Sequence, residues 1–210
     1  MMLMVDISGS QWFGTSQAFK REILTEIAAT LAFSATQNND KIGLILFTSE
    51  VELFIPPKKG RSHVLRIIRE LLEFKPSNKS TNIAEALKFL SNVIKKKAIV
   101  FVLSDYMDEG YGNTLKILAG KHDITGIRVY DNKESSIPNL GLVHMRDEES
   151  GELVVIDTSS KNVRKGYSNY YNTSVNYFKE VFTKSGAGTI DCSVEESYVK
   201  KLLGYFKRRA

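Results

Sequence analysis

Cysteine is nearly absent from this chain. The single Cys192 among 210 residues excludes an intrachain disulfide and suits a reducing compartment. It also excludes a paired-cysteine zinc motif, and His63, His122 and His144 are scattered without zinc-ligand spacing. No secretory signal and no apolar run of membrane-spanning length is present, so no membrane span is expected and the predicted location is cytoplasmic. Internal repeats and low-complexity tracts are missing too. So are three catalytic signatures. Ser8 lacks the Gly-x-Ser-x-Gly frame because position 6 is Asp, and neither a phosphate-binding Gly-Lys loop nor a dinucleotide fingerprint occurs.

What remains is ordinary globular material. Hydrophobic residues make up 42% and charged residues 25%, with a net charge of +5, a balance unlike that of a disordered chain. Part of the positive excess is Lys207-Arg208-Arg209, whose plain reading is a solvated helix end. The length suits one domain over 1–210. The chain opens directly on the apolar run Met1 to Val5, and an N-terminal segment ahead of it is expected to be missing.

Strand and helix signals alternate as in a parallel sheet covered by helices. Met2 to Val5 predicts a strand ending at Asp6. Phe19, Ile23, Ile27, Ala28, Leu31 and Ala35 recur at helical spacing between Gln17 and Gln37. Ile42 to Phe47 is a buried strand, followed through a turn by an antiparallel edge strand, Val51 to Ile55, stopped by Pro56-Pro57. Two helices follow, the second from about Asn82. Ala98 to Leu103 is the strongest buried strand and ends at Ser104-Asp105. A short helix near Asn113 to Ala119 and a strand at Ile124 to Tyr130 come next. Residues 141–157 read as an inserted hairpin, followed by a long helix, a strand near Thr189 to Cys192 and a last helix from about Glu195. The fold class is therefore α/β: an open, mostly parallel, doubly wound sheet with helices on both faces and one antiparallel edge strand.

Three polar loops fall on one presumed edge: Asp6-Ile7-Ser8-Gly9-Ser10, Ser80-Thr81-Asn82 and Ser104-Asp105. In an open parallel sheet the carboxyl ends of the strands share one edge, and ligands bind there. Asp6 and Asp105 should converge despite their distance in sequence. Two carboxylates and three hydroxyls with no soft ligand suit a hard cation, Mg²⁺ or Mn²⁺, with Ca²⁺ as a further option. Taken alone, Thr81 reads better as a helix N-cap, and Asp108 and Glu109 read as solvated residues beyond the third loop. Tyr167, Tyr170, Tyr171 and Tyr177 on the late helix read as packing against the domain.

Asp6-x-Ser8-x-Ser10, with Thr81 and Asp105 in matching order, resembles the metal-ion-dependent adhesion site (MIDAS) of von Willebrand factor A (vWA) domains. Thr81-Asn82-Ile83 before Ala86-Leu87 is similar to the segment opening the corresponding helix there. Within that superfamily the chain resembles a bacterial family of unknown function, domain-of-unknown-function family fifty-eight. Ile127 to Asp131, Pro138 to Val143, Ser150-Gly151-Glu152, Val155 to Thr158 and Arg208-Arg209 add to the likeness. The resemblance implies that Ser8, Ser10 and Thr81 ligate the metal directly while Asp6 and Asp105 act through water. Gln11 departs from the Met often found there in relatives.

Such a site implies protein binding rather than catalysis, with no catalytic residue assigned. Neutral hydroxyl ligands leave the ion undercompensated, and an acidic side chain of a partner supplies the missing ligand. By resemblance, that partner is a protein such as a MoxR-type AAA+ ATPase in an assembly or chaperone-like system. The alternatives are a metal-dependent hydrolase or phosphatase using the same pocket, and a nucleic-acid module using the basic tail, although no nucleic acid is expected.

Overall fold

Runs of aliphatic residues with no polar face make strands buried on both sides, and they place the main sheet at the centre of the molecule. The computed structural model describes residues 1–9, 17–146 and 153–209. Its strands are β1 (Met2–Asp6), β2 (Ile42–Phe47), β3 (Val51–Lys58), β4 (Ile99–Ser104), β5 (Asp123–Tyr130), β6 (Leu142–Arg146), β7 (Leu153–Asp157) and β8 (Gly188–Ser193). The helices are α1 (Gln17–Gln37), α2 (Arg61–Glu73), α3 (Ile83–Val93), α4 (Gly112–Ala119), α5 (Lys161–Lys184) and α6 (Tyr198–Arg209).

Six strands form one sheet in the order β3-β2-β1-β4-β5-β8. Every neighbouring pair is parallel except β2 and β3, so the expected α/β architecture with one antiparallel edge strand is what the chain adopts. Side-chain alternation divides the core into two layers. Leu3 and Val5 of β1 face α1, α2 and α6, where Ile27, Ile67 and Leu202 lie in the same cluster. Met2 and Met4 face the opposite layer, among Ile83 and Leu87 of α3, Leu115 of α4, and Phe178 and Phe182 of α5.

Gly126 in β5 makes room for that second layer. A Cβ there would lie 2.6 Å from the Phe182 ring and 2.8 Å from Phe178, both buried. A strand interior otherwise disfavours glycine. Here the missing side chain lets two aromatic rings lie directly on the sheet.

β3 runs three residues further than its sequence suggests, through Pro56 and Pro57 to Lys58. An edge strand has one unpaired side, so a proline that cannot donate is accommodated at an irregular register. The β2–β3 pairing shifts between Ile42 and Leu44 and again between Leu46 and Phe47. β6 and β7 pair antiparallel as a separate two-stranded sheet, with residues 147–152 between them outside the described residues. Leu142 and Leu153 are 74% and 65% exposed, so these strands add little to the core. The base of the pair is fastened by the buried Thr158. Its hydroxyl accepts from the Leu140 amide at 2.9 Å and donates to the Gly141 carbonyl at 2.7 Å.

Candidate metal centre

The parallel register decides which loops meet. Asp6, the last residue of β1, lies opposite Phe47, and Val5 lies opposite Leu103. The ends of β1, β2 and β4 therefore emerge side by side, and backbone bonds tie their loops together. The Ile7 amide donates to the Phe47 carbonyl at 3.0 Å, the Gly9 amide to Lys79 at 2.6 Å, and the Asn82 amide to Thr48 at 2.9 Å. The second of these bonds brings the Asp6–Gly9 turn against the segment that leads to Thr81.

Asp6, Ser8, Ser104 and Asp105 are all buried. Asp6 Oδ1 accepts from the Ser8 amide at 2.9 Å, and Asp6 Oδ2 accepts from the Ser104 hydroxyl at 2.6 Å. Burial and then the facing Asp105 charge push the Asp6 carboxyl up to about 7, against the pull of hydrogen bonds from Ser104 and Ser8. Two carboxylates are thus held together out of water, and each makes the other's charge harder to keep. Such a pair calls for a nearby cation.

One such cation is the Lys20 ammonium on α1. It reaches Asp105 Oδ2 at 3.0 Å and Glu134 Oε1 at 2.9 Å, and the lysine side chain is only 4% exposed. Burial alone would pull a lysine's pKa down. Asp105 and Glu134 outweigh that and hold Lys20 above its ordinary value. Glu134 sits in a 3₁₀ turn over Asn132–Ser135, directly after β5. There its carboxylate and Asp131 cap the turn reciprocally.

The turn after β4 has a second unusual feature. Tyr106 is fully buried with φ +59°, a left-handed conformation costing a non-glycine residue about 1–2 kcal/mol. Several contacts hold it there. Its amide donates to Ser104 Oγ at 3.0 Å, its hydroxyl donates to the Val102 carbonyl at 2.7 Å, and its ring packs 4.1 Å from the Phe178 centroid. The turn aims Asp105 back toward α1, where Lys20 meets it.

Of the residues expected to gather, Asp6, Ser8 and Asp105 lie in this one buried cluster. Thr81 is half-buried in the adjoining loop. Ser10 lies outside the described residues. Thr81 does not cap α3, contrary to the sequence reading: Asn82 is the cap, its side chain accepting from the Glu85 amide at 3.0 Å. A residue one position later suits the cap because its own backbone is already non-helical while its oxygen faces the first turn. Asp108 is not merely solvated either. It is partly buried, its Oδ2 accepts from the Ile83 amide at 2.8 Å, and it ties the Asp105 loop to the start of α3. The tyrosines of α5 divide: Tyr171 is buried, whereas Tyr170 is 55% exposed.

Lys20 and Glu134 were missed in the sequence, and Ser104 stood there only as part of the third loop, with no role of its own. For Lys20 a signal existed: it falls three and seven residues before the buried Ile23 and Ile27, so it lies on the inward face of α1. A lone charge on such a face needs a buried partner.

The oxygen donors Asp6, Ser8, Thr81 and Asp105 fit a hard divalent ion, and the Asp6–Asp105 repulsion is the deficit such an ion offsets. Among the described residues, no group of three or more His, Cys, Asp or Glu is placed to hold a metal. A site here therefore depends on hydroxyls as well as carboxylates.

The family profile described as "Protein of unknown function DUF58" matches residues 1–176. The chain belongs to this DUF58 family. An uncharacterized protein of Mycobacterium tuberculosis and one of Mycobacterium bovis are each 25% identical over 152 residues, covering 71% of this chain and 48% of theirs. The chain thus spans about half the length of the curated relatives it matches. Among solved structures, the conserved hypothetical protein BatB of Bacteroides thetaiotaomicron is similar with a TM-score of 0.59 at 18% identity, covering 96% of this chain and 93% of that one. Proximal thread matrix protein 1 from the mussel byssus is similar at a TM-score of 0.50 and 17% identity, covering 61% of this chain and 37% of that one. The DUF58 chain accordingly shares its α/β fold with BatB. Among its described residues, no helix is long and apolar enough to cross a membrane.

Proposed function

We propose that this DUF58 domain, taken as one unit over 1–210, is a metal-ion-dependent protein-binding module. Its ion would be held at the carboxyl edge of the sheet by Asp6, Ser8, Ser10, Thr81 and Asp105. The observation that carries the reading is the pair of buried, mutually repelling carboxylates of Asp6 and Asp105, gathered with Ser8 against the loop bearing Thr81. Mg²⁺ or Mn²⁺ suits these hard oxygen donors best, with Ca²⁺ next. Asp6 and Asp105 are already engaged by Ser8, Ser104, Met107 and Lys20, which suits action on the ion through water more than direct ligation. When bound, the ion supplies a positive charge that neutral hydroxyls leave undercompensated, and so it attracts an acidic side chain from outside.

The partner is an acidic segment of another protein. By family resemblance, a MoxR-type AAA+ ATPase in an assembly or chaperone-like system is the proposed source, in the cytoplasm. The basic tail is a weaker basis for binding: Arg209 is drawn into the fold by Asp123 at 2.8 Å and by the Tyr205 hydroxyl at 2.8 Å.

The test is capture of partners on the immobilised chain in Mg²⁺ and again in chelator. A protein retained only with Mg²⁺, and lost on Ser8→Ala, supports the reading. Capture indifferent to chelation rejects it.

A further inference from the structure

Lys20 is a buried cation at a place proposed for another cation. Its ammonium joins α1 to two acceptors on different elements, Asp105 after β4 and Glu134 after β5, at nearly equal distances of 3.0 and 2.9 Å. Three carboxylates, Asp6, Asp105 and Glu134, and one ammonium make a cluster of net charge −2 when all are ionised. A divalent ion neutralises that sum, but Asp105 already holds a positive charge against its Oδ2 at 3.0 Å. Burial makes this costly, because solvent cannot screen the two cations from each other.

We infer that Lys20 is an internal competitor that sets the metal affinity of the site, with Glu134 as the acceptor that holds its ammonium when Asp105 turns to the ion. The inference rests on the metal reading above and adds a regulating pair to it. Glu134 is well placed for the task. Its second oxygen, Oε2, is fixed by the Asp131 amide, so Oε1 keeps its position for the ammonium whether or not Asp105 shares it. Lys20 lies in the first turn of α1, so its movement couples the ion to the start of that helix.

The effect of removing the charge is large. A unit charge about 5 Å from a divalent ion alters its binding more than tenfold even at the dielectric constant of water. The test is isothermal titration of the whole chain with Mn²⁺ alone, with folding followed by circular dichroism. Lys20→Met should bind Mn²⁺ at least about tenfold more tightly than wild type. Glu134→Gln should bind severalfold more weakly, because the Lys20 ammonium loses its Glu134 acceptor and leans harder on Asp105. In the Lys20→Met background Glu134→Gln should weaken binding much less than it does in wild type, because most of its effect runs through Lys20. A merely structural role would instead let Glu134→Gln weaken binding equally in both backgrounds. Should Lys20→Met fail to fold, Lys20→Gln removes the charge while keeping an N–H donor and carries the same expectation. Wild type that binds Mn²⁺, with Lys20 variants equal or weaker, overturns the competition while sparing the metal reading. No Mn²⁺ binding by wild type or by any folded Lys20 variant overturns both. Binding seen only after Lys20 is replaced supports competition in its strongest form.

Discussion

Metal affinity at this site should climb with pH below neutrality and level off above it, because a proton and the ion compete for Asp6. Its carboxyl titrates at about 7 against an ordinary value of 3.8. Each unit of such a shift corresponds to about 1.36 kcal/mol, so ionising Asp6 in the folded protein costs on the order of 4 kcal/mol more than in water. Without metal, the raised value makes the folded state bind this proton more tightly than the unfolded chain does. The group's favourable contribution is therefore complete below 3.8 and is lost as pH rises through about 7. A divalent ion beside Asp6 removes most of that penalty. Below about pH 7, binding should release close to one proton per ion and strengthen about tenfold per pH unit, and above about pH 8 release should cease. Titration calorimetry with Mn²⁺ in buffers of different ionisation enthalpy measures both quantities together. Affinity that is flat from about pH 5.5 to 8, with no proton released, would refute the coupling of Asp6 to the ion.

Other substitutions probe separate links. Ser8→Ala should weaken Mn²⁺ binding while the thermal midpoint of the metal-free protein moves little, as read by calorimetry and scanning fluorimetry. Asp105→Ala should lower stability by about 3 kcal/mol as well as abolish binding, because it strips one partner from the buried Lys20 ammonium; denaturant unfolding checks this. Gly126→Ala should cost about 2 kcal/mol by driving a methyl group into the Phe178 and Phe182 rings, with Mn²⁺ affinity unchanged in the fraction that folds. Tyr106→Phe should cost about 1 kcal/mol through the lost bond to the Val102 carbonyl.

The architecture was legible because its signals are local and periodic. Continuous apolar runs such as Ile42 to Phe47 leave little choice but a doubly covered parallel strand, and parallel strands bring their carboxyl ends together. The meeting of Asp6 with Asp105 followed from that rule. The site's inner wiring followed from no such rule. Whether Asp105 turns toward α1 depends on a left-handed Tyr106, which propensity argues against and which packing on Phe178, Phe182 and Tyr111 and two hydrogen bonds maintain. Ser104 and Glu134 owe their roles to neighbours 98 and 114 residues away in sequence, a separation invisible to patterns read in short windows. Lys20 is the instructive miss, since its position on the inward face of α1 announced a buried charge before any partner was known.

The most direct trial of the central claim is a crystal of the chain grown in Mn²⁺, with anomalous scattering used to locate the ion. A peak within coordination distance of the Ser8 and Thr81 hydroxyls, flanked by the Asp6 and Asp105 carboxylates, is the predicted result. Manganese found only elsewhere, or no peak at saturating Mn²⁺ with those side chains well ordered, would contradict it.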